Sequence, residues 1–128
     1  MKDCVFCKIA KGEIPSIKIW ENEKYLAFLD VNPVKPGHTL LIPKKHDAYI
    51  FDLNDSEYLE IMSVAKIIAK KLKDSLNPPK VGMVIEGFGV EHIHIHLVPI
   101  DKSAELDPNK AKPATKEELQ KIAKRVTK

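Results

Sequence analysis

Glu91-His92-Ile93-His94-Ile95-His96-Leu97-Val98-Pro99 alternates imidazoles with Ile93, Ile95 and Leu97. Side chains of a strand point to opposite faces with a period of two, so this stretch reads as a strand. One face is apolar and packs on a core; the other is a row of three imidazoles. At a rise of ~3.3 Å per residue, neighbouring histidines stand ~6.6 Å apart and His92 and His96 ~13 Å apart. Only His94 is near both others. Such a row suits two kinds of chemistry. One imidazole can attack as a nucleophile while its neighbours orient it and handle a proton. Alternatively, neutral imidazoles can bind a metal. Three of the five histidines of the chain lie on this one face; His38 and His46 are the others.

Working outward, Val81-Gly82-Met83-Val84-Ile85 is a strand that precedes the histidine strand. Before it, Tyr58, Ile61, Met62, Ala65, Ile68, Ala69 and Leu72 recur at spacings of three and four, one apolar stripe of a long helix. Asn54 with Glu57 is its N-terminal cap, Asn77-Pro78-Pro79 its stop, and Lys66, Lys70, Lys71 and Lys73 its solvated side. Further back, His38 to Pro43 reads as a strand, and Ile17 to Glu21 and Tyr25 to Leu29 as a hairpin around Asn22-Glu23-Lys24. A short helix spans Cys4 to Lys11, with Gly12 and Pro15 punctuating the loop after it. The tail turns at Pro108 and Pro113. Thr115 and Glu118 cap a short amphipathic helix carrying Leu119, Ile122, Ala123 and Val126. The expected fold is α+β: an antiparallel sheet of about five strands with helices against it.

Three residue groups outside the row carry chemistry. Cys4 and Cys7 form a Cys-x-x-Cys pair. They read as a zinc half-site, as a redox pair, or as small core residues; a redox pair wants a strand before it, and only three residues precede Cys4. Asp30 either starts the turn through Val31-Asn32-Pro33 or accepts hydrogen bonds from a ribose diol. His38 is either a site imidazole or a strand-end histidine bonded to backbone.

A chain of 128 residues, 44% hydrophobic, fits one domain over residues 1–128, with its core at about 4–100 and a tail at 101–128. The net charge of +3 is mild and its basic residues are dispersed, which excludes a nucleic-acid stripe and suits a phosphate-bearing ligand. No apolar run approaches a membrane span, and Met1-Lys2-Asp3-Cys4 lacks a signal-peptide apolar region. The expected location is the cytoplasm, with reduced cysteines.

His-Ile-His-Ile-His-Leu-Val resembles the His-x-His-x-His-x-x pattern of the histidine triad (HIT) family. Cys4 to Ile9, Gly12 to Pro15, Ala27 to Pro33 and Pro36 to His46 are similar to that family in the same order. The resemblance covers about Cys4 to Ile100. It implies a HIT-like fold with one long helix, a short N-terminal helix and a C-terminal helix, pairing as a homodimer. It implies a hydrolase or nucleotidyl transferase acting at the α-phosphate of a purine nucleotide substrate, such as a phosphoramidate or dinucleotide polyphosphate. His94 is then the nucleophile that forms a nucleotidyl-histidine, His96 handles the leaving-group proton and His92 completes the triad. Asp30 holds the ribose, Phe6, Ile9, Phe28 and Val31 line the base pocket, and His38 joins the site. A structural zinc is held by Cys4, Cys7, His46 and His92. The alternative is a non-catalytic nucleotide- or zinc-binding module on the same fold.

The match breaks at Ile85-Glu86-Gly87-Phe88-Gly89-Val90-Glu91. Nucleotide-handling members carry Asn-x-Gly and then Gln or Ser before the first triad histidine. Here the Asn position reads Ile85, the Gln position Phe88 and the Ser or Thr position Gly89. Phenylalanine cannot donate to a phosphoryl oxygen, whereas Gly87 and Gly89 can bring backbone N–H groups close to a ligand.

Overall fold

The computed structural model describes residues 4–128; Met1 to Asp3, on which part of the leader reading rests, lie outside the described residues. Helix α1 covers Val5–Ala10, and the strands are β1 (Lys18–Glu21), β2 (Tyr25–Leu29), β3 (Thr39–Pro43), β4 (Lys80–Val84) and β5 (Ile95–Ile100). Helix α2 spans Asp55–Leu76, and α3 spans Lys116–Thr127. The five strands form one antiparallel sheet in the order β1-β2-β3-β5-β4. The strand carrying His96 therefore lies inside the sheet, paired on both sides, and α2 makes the crossover from β3 to the edge strand β4. No helix among the described residues is long and apolar enough to cross a membrane.

Each face of the sheet has its own cover. Ala27, Leu29, Leu41, Ile95 and Leu97 point into the main core, where Ile61, Val64, Ala65, Ile68 and Leu72 of α2 meet them. Leu119 and Val126 of α3 join the same core. On the opposite face, Leu26, Phe28, Leu40 and Ile42 pack under Phe6 and Ile9 of α1. The stripe expected on α2 is the observed one, with Val64 added to it. The caps hold as read: the Asn54 side chain accepts from the Glu57 N–H, and Thr115 and Glu118 form a reciprocal box. Cys4 caps α1, its Sγ accepting from the Cys7 N–H at 3.3 Å.

The expected histidine strand is shorter in the structure. It begins at Ile95, so His92 and His94 precede it. The ladder stops there because the backbone is used otherwise: the Ile93 N–H donates to the Asp47 carbonyl at 2.7 Å, and the His92 carbonyl accepts from the His94 ring at 2.7 Å. The alternation survives, with Ile93, Ile95 and Leu97 almost fully buried in the core. Strand β4 sits one residue earlier than its apolar run implied, since its edge position is set by pairing Val84 with His96.

The tail is not a loose appendage. Lys35 Nζ donates to Asp101 at 2.6 Å and to Glu105 at 3.0 Å. Glu105 also accepts from the Asp101 and Lys102 N–H groups; those bonds, with Lys35, hold its carboxyl down to about 2. Farther on, the Lys112 and Ala114 N–H groups donate to the Pro33 and Val31 carbonyls. These tethers draw residues 101–114 across the face of the sheet that carries His96.

Candidate active site and metal centre

Register explains which side chains meet. Leu40 and Val84 flank His96 on the neighbouring strands, so His96 shares its face with Phe28, Leu40 and Val84. Helix α1 closes one side of that face. Phe6 stands edge-on to His94 with centroids 5.0 Å apart, and edge-on to Phe28 at 5.9 Å. The His94 and His96 rings are 5.2 Å apart, and those of His38 and His96 5.1 Å.

Hydrogen bonds assign the protons of the resting site. A carbonyl only accepts, so the His94 Nδ1 bonded to the His92 carbonyl carries its proton. In the neutral ring His94 Nε2 is then the lone-pair nitrogen, which is the form a nucleophile needs. The Val34 N–H donates to His38 Nδ1 at 3.1 Å, which puts the neutral His38 proton on Nε2. His38 Nε2 lies 2.9 Å from His96 Nδ1, so His38 donates and His96 keeps its own proton on Nε2. Burial pushes the His96 ring down to about 4, with His38 and His94 adding to it and Asp30 opposing. Burial likewise lowers His38, against the pull of Asp30 at 3.5 Å. Both rings are neutral in the resting protein at pH 7.

Cys4 Sγ, Cys7 Sγ, His46 and His92 form the second cluster, their ligand atoms all within 4.8 Å of one another. The Sγ···Nδ1 distances are 3.3 Å for Cys4–His92, 3.2 Å for Cys7–His46 and 3.5 Å for Cys7–His92. Tetrahedral Zn with Zn–S near 2.3 Å and Zn–N near 2.0 Å has S···N edges of ~3.5 Å, so the residues fit the ion. His92 Nε2 donates to the Pro43 carbonyl at 2.7 Å, leaving Nδ1 as the ligand nitrogen; this is the outer-shell bond that ligating histidines ordinarily make. Burial pushes the Cys7 thiol up, and Cys4 adds to this. Asp30, His38 and His96 also cluster closely. There the Val34 bond keeps the His38 proton on Nε2, the atom a metal would need, so this group is a hydrogen-bond chain and not a metal centre.

The site residues read from the sequence fall into three places. His94, His96, His38 and Asp30 meet at the centre, with Phe6 and Ile9 of α1 and Phe28 of β2 buried beside them. Val31 is 60% exposed at the rim next to Asp30. The Asp30 carboxylate accepts from the Asn32 N–H at 2.8 Å, so the turn role is present in the structure, and one oxygen remains directed toward His38. His92 has left the row for the cysteine cluster. Gly89 lies by Cys4, Val5 and His46, in a hollow apart from the one lined by Asp30. Gly87 and Gly89 have φ of 85° and 83°, a conformation glycine adopts freely, and Phe88 between them is 84% exposed.

One part of the surroundings was not legible in the sequence. A cavity of about 280 Å³ beside Asp30, His38 and His96 is walled by Val84 and Val98 of the sheet and by Leu106, Pro108 and Ala111 of the tail. The run after Asp101 has no periodicity that would announce a wall. Only the pairing of Lys35 with Asp101 and Glu105, and the bonds to Val31 and Pro33, bring it there.

The sequence pattern of the HIT domain family matches residues 11–103. The chain is 43% identical over 97 residues to adenosine 5'-monophosphoramidase HNT1 of Saccharomyces cerevisiae; the match covers 75% of this chain, and the chain spans 61% of the length of that relative. A crystal structure of a HIT-like protein from Bartonella henselae superposes with a TM-score of 0.86 at 26% identity, covering 99% of this chain and 96% of that one. A zinc-bound histidine triad family protein from Mycobacterium smegmatis superposes at 0.81 and 30% identity, over 98% and 94%.

Proposed function

The chain belongs to the HIT family, and from that premise we propose that it is a hydrolase of P–N bonds in purine nucleoside phosphoramidates. The observation that carries this reading is the His94 ring, held through Nδ1 by the His92 carbonyl with Nε2 left free of that bond, beside the hydrogen-bonded His38–His96 pair. The relative from Saccharomyces cerevisiae bears the name of such an enzyme.

In the proposed reaction, His94 Nε2 attacks the α-phosphorus and the P–N bond breaks. The His38–His96 pair takes up one proton with the anionic substrate, whose charge opposes the effect of burial, and His96 delivers it to the departing nitrogen. Water then attacks the phosphorus, the Nε2–P bond breaks, and the proton lost by water is returned to solvent through the same pair. The products are the amine and the nucleoside monophosphate. Phosphoryl charge is met by imidazole and by backbone N–H groups in place of the family's polar side chains. Asp30 accepts from the ribose hydroxyls, and the base rests against α1 and Phe28, with Val31 at the rim.

Cys4, Cys7, His46 and His92 would hold a structural zinc, supported by the Nδ1 and Sγ geometry and by the zinc-bound relative. All four positions are protein ligands, so this metal fastens α1 to the segment before β5 and takes no part in the reaction. A homodimer is supported by Leu59 and Ile67, eight residues apart on one stripe of α2, and Met83 on the edge strand β4; they are 64%, 47% and 44% exposed.

Incubation with adenosine 5'-phosphoramidate, followed by intact-protein mass measurement, tests the function. Wild type gains one nucleotidyl group and releases adenylate. His94→Ala forms no adduct and loses more than about a hundredfold in kcat/KM, since a covalent nucleophile is worth at least that much. A second reading, nucleotide binding without turnover, is favoured by Ile85, Phe88 and Gly89 standing where the family has polar groups. It prevails if wild type binds adenylate and neither turns over nor carries the adduct.

A further inference from the structure

We propose that Cys4 and Cys7 are also a modification site: a peroxide oxidises them to a disulfide, the metal cluster opens, and the hold on His94 loosens with it. The proposal rests on the zinc and hydrolase readings above and names a signal to which both respond.

The chain contains two cysteines, so within one molecule each thiol has the other as its single sulfur partner. The two Sγ atoms lie within 4.8 Å of each other. Cys4 is extended, at φ -76° and ψ 111°, and its side chain folds back over the first turn of α1, where Sγ accepts from the Cys7 N–H at 3.3 Å. Side chains three residues apart in a helical turn are neighbours, so rotation of the two side chains suffices to bring sulfur to sulfur. The thiols differ in access. Cys7 is buried, at 8% exposed. Cys4 is half-buried and lines, with His46, an open hollow of about 510 Å³ whose other wall is the stretch Gly87 to Glu91. A molecule the size of peroxide enters such a space, since one water takes roughly 30 Å³.

The order of reaction follows from that difference. The Cys4 thiolate attacks one peroxide oxygen, the O–O bond breaks and hydroxide leaves, which makes Cys4 a sulfenic acid. The Cys7 thiolate then attacks Cys4 Sγ, the S–O bond breaks and a second hydroxide leaves. Two thiolates have given two electrons to the peroxide, and solvent protons convert both hydroxides to water. Only the imidazoles of His46 and His92 then remain as ligands, two where a closed site has four.

His92 carries the change to the reacting centre. Its Nδ1 faces Cys4 Sγ at 3.3 Å, and its carbonyl holds the His94 ring at 2.7 Å. Phe6, between the two cysteines in the chain, stands edge-on to His92 at 6.0 Å and to His94 at 5.0 Å. The ion ties α1 to His46 and His92, whereas the disulfide ties α1 only to its own cap. A six-residue helix is then left with the apolar contacts of Phe6 and Ile9. A shift of ~1 Å from the productive geometry costs about a hundredfold in rate.

The experiment treats the full chain, purified without chelator, with a few equivalents of hydrogen peroxide. Zinc release, free thiols, intact mass and kcat/KM on adenosine 5'-phosphoramidate are followed together, and peptide mapping assigns any added oxygen to cysteine or methionine. Two thiols and one zinc per chain should be lost at the same rate, the mass should fall by two hydrogens, and kcat/KM should drop by at least about tenfold. Dithiothreitol with zinc should restore all of them. Cys7→Ser, which lacks the second thiol, should stop at a sulfenic acid on Cys4 that dimedone traps, and Cys4→Ser should react at least about tenfold more slowly, its remaining thiol being buried. The wild-type readouts decide without either variant. Cysteines that keep both thiols, gain oxygen without forming the disulfide, or join two chains overturn the proposal, as does a disulfide that leaves zinc content or kcat/KM unchanged. Well under one zinc per chain before treatment overturns the zinc reading, whereas a zinc-loaded chain that resists peroxide overturns the proposal alone. Failure of the reduced protein to hydrolyse the phosphoramidate overturns the hydrolase reading. Adenylate affinity then stands in for turnover: weaker binding to the oxidised chain supports the proposal, and equal affinities overturn it.

Discussion

Each imidazole near the reacting centre has one nitrogen spoken for by the backbone or by another ring, and that assignment sets what the other nitrogen can do. The Val34 N–H, His38 and His96 form a chain whose direction is fixed at its first donor. Neutrality of His96 leaves a signature in stability. Its ring titrates at about 4 in the native protein, where burial first and then His38 and His94 oppose the charge, against ~6.5 in an unfolded chain. Between those values the unfolded state holds the extra proton and the native state does not. Native stability therefore rises with pH through that window, is complete above ~6.5, and is lost as pH falls toward about 4. His38 shifts in the same direction. Urea midpoints at pH 7.5 and 5.0 should fall more for wild type than for His96→Asn; comparing the two proteins cancels any loss of metal common to both. Equal falls would mean that His96 is not held neutral.

At the scale of elements, α1 is six residues long, too short to be stable alone. Three things hold it: the Cys4 cap, the apolar contact of Phe6 and Ile9 with β2 and β3, and the proposed zinc. The metal adds a cross-link from α1 to His46 after β3 and to His92 before β5. His46→Ala should therefore lower zinc content and melting temperature together, while adenylate chemistry at His94 falls only as far as α1 loosens. Because thiolates and neutral imidazoles bind the ion, zinc retention should also weaken as pH drops. Elemental analysis of protein purified without chelator, run beside thermal melts, checks this. A variant with full zinc content, or wild type with well under one zinc per chain and both thiols freely reactive, would remove the metal from the account.

At the scale of the whole molecule, the sheet ends on β1 and β4, and β4 carries an exposed apolar side chain, Met83. Strand β4 is paired only with β5, and Met83 shares its face of the sheet with Leu97 and therefore with α2. Leu59, Ser63 and Ile67 follow one another at helical spacing of four, so the exposed apolar side chains Leu59 and Ile67 form one stripe of α2. A bare strand edge and an exposed apolar stripe are both hazards unless covered, and the proposed homodimer would cover them. Sedimentation should find the wild type dimeric and Ile67→Glu monomeric, with α2 still formed by circular dichroism. A monomeric wild type at micromolar concentration would leave the stripe to another partner.

The sequence alone determined the sheet, the order of its elements and their caps, because periodicity, Asn54, Thr115 and the Asn77-Pro78-Pro79 stop are local signals. It also marked the histidine row and the cysteine pair, since alternation and a two-residue gap are visible along the chain, whereas Asp30 read as a turn residue or a ribose acceptor. Tertiary structure decided how these are divided. His92 belongs to the cysteine cluster because the strand ends at Ile95, and it ends there because the Ile93 N–H and the His92 carbonyl bond outside the ladder. The protons of His38 and His96 follow from a backbone N–H that folding brings to His38 Nδ1. The tail wall was silent in the sequence for the same reason. Lys35 is 66 and 70 residues from its partners Asp101 and Glu105, and no local pattern encodes a contact at that separation. Chain order fixes which residues exist to be used, but which of them share a cavity depends on the register of a sheet and the path of a tail across it.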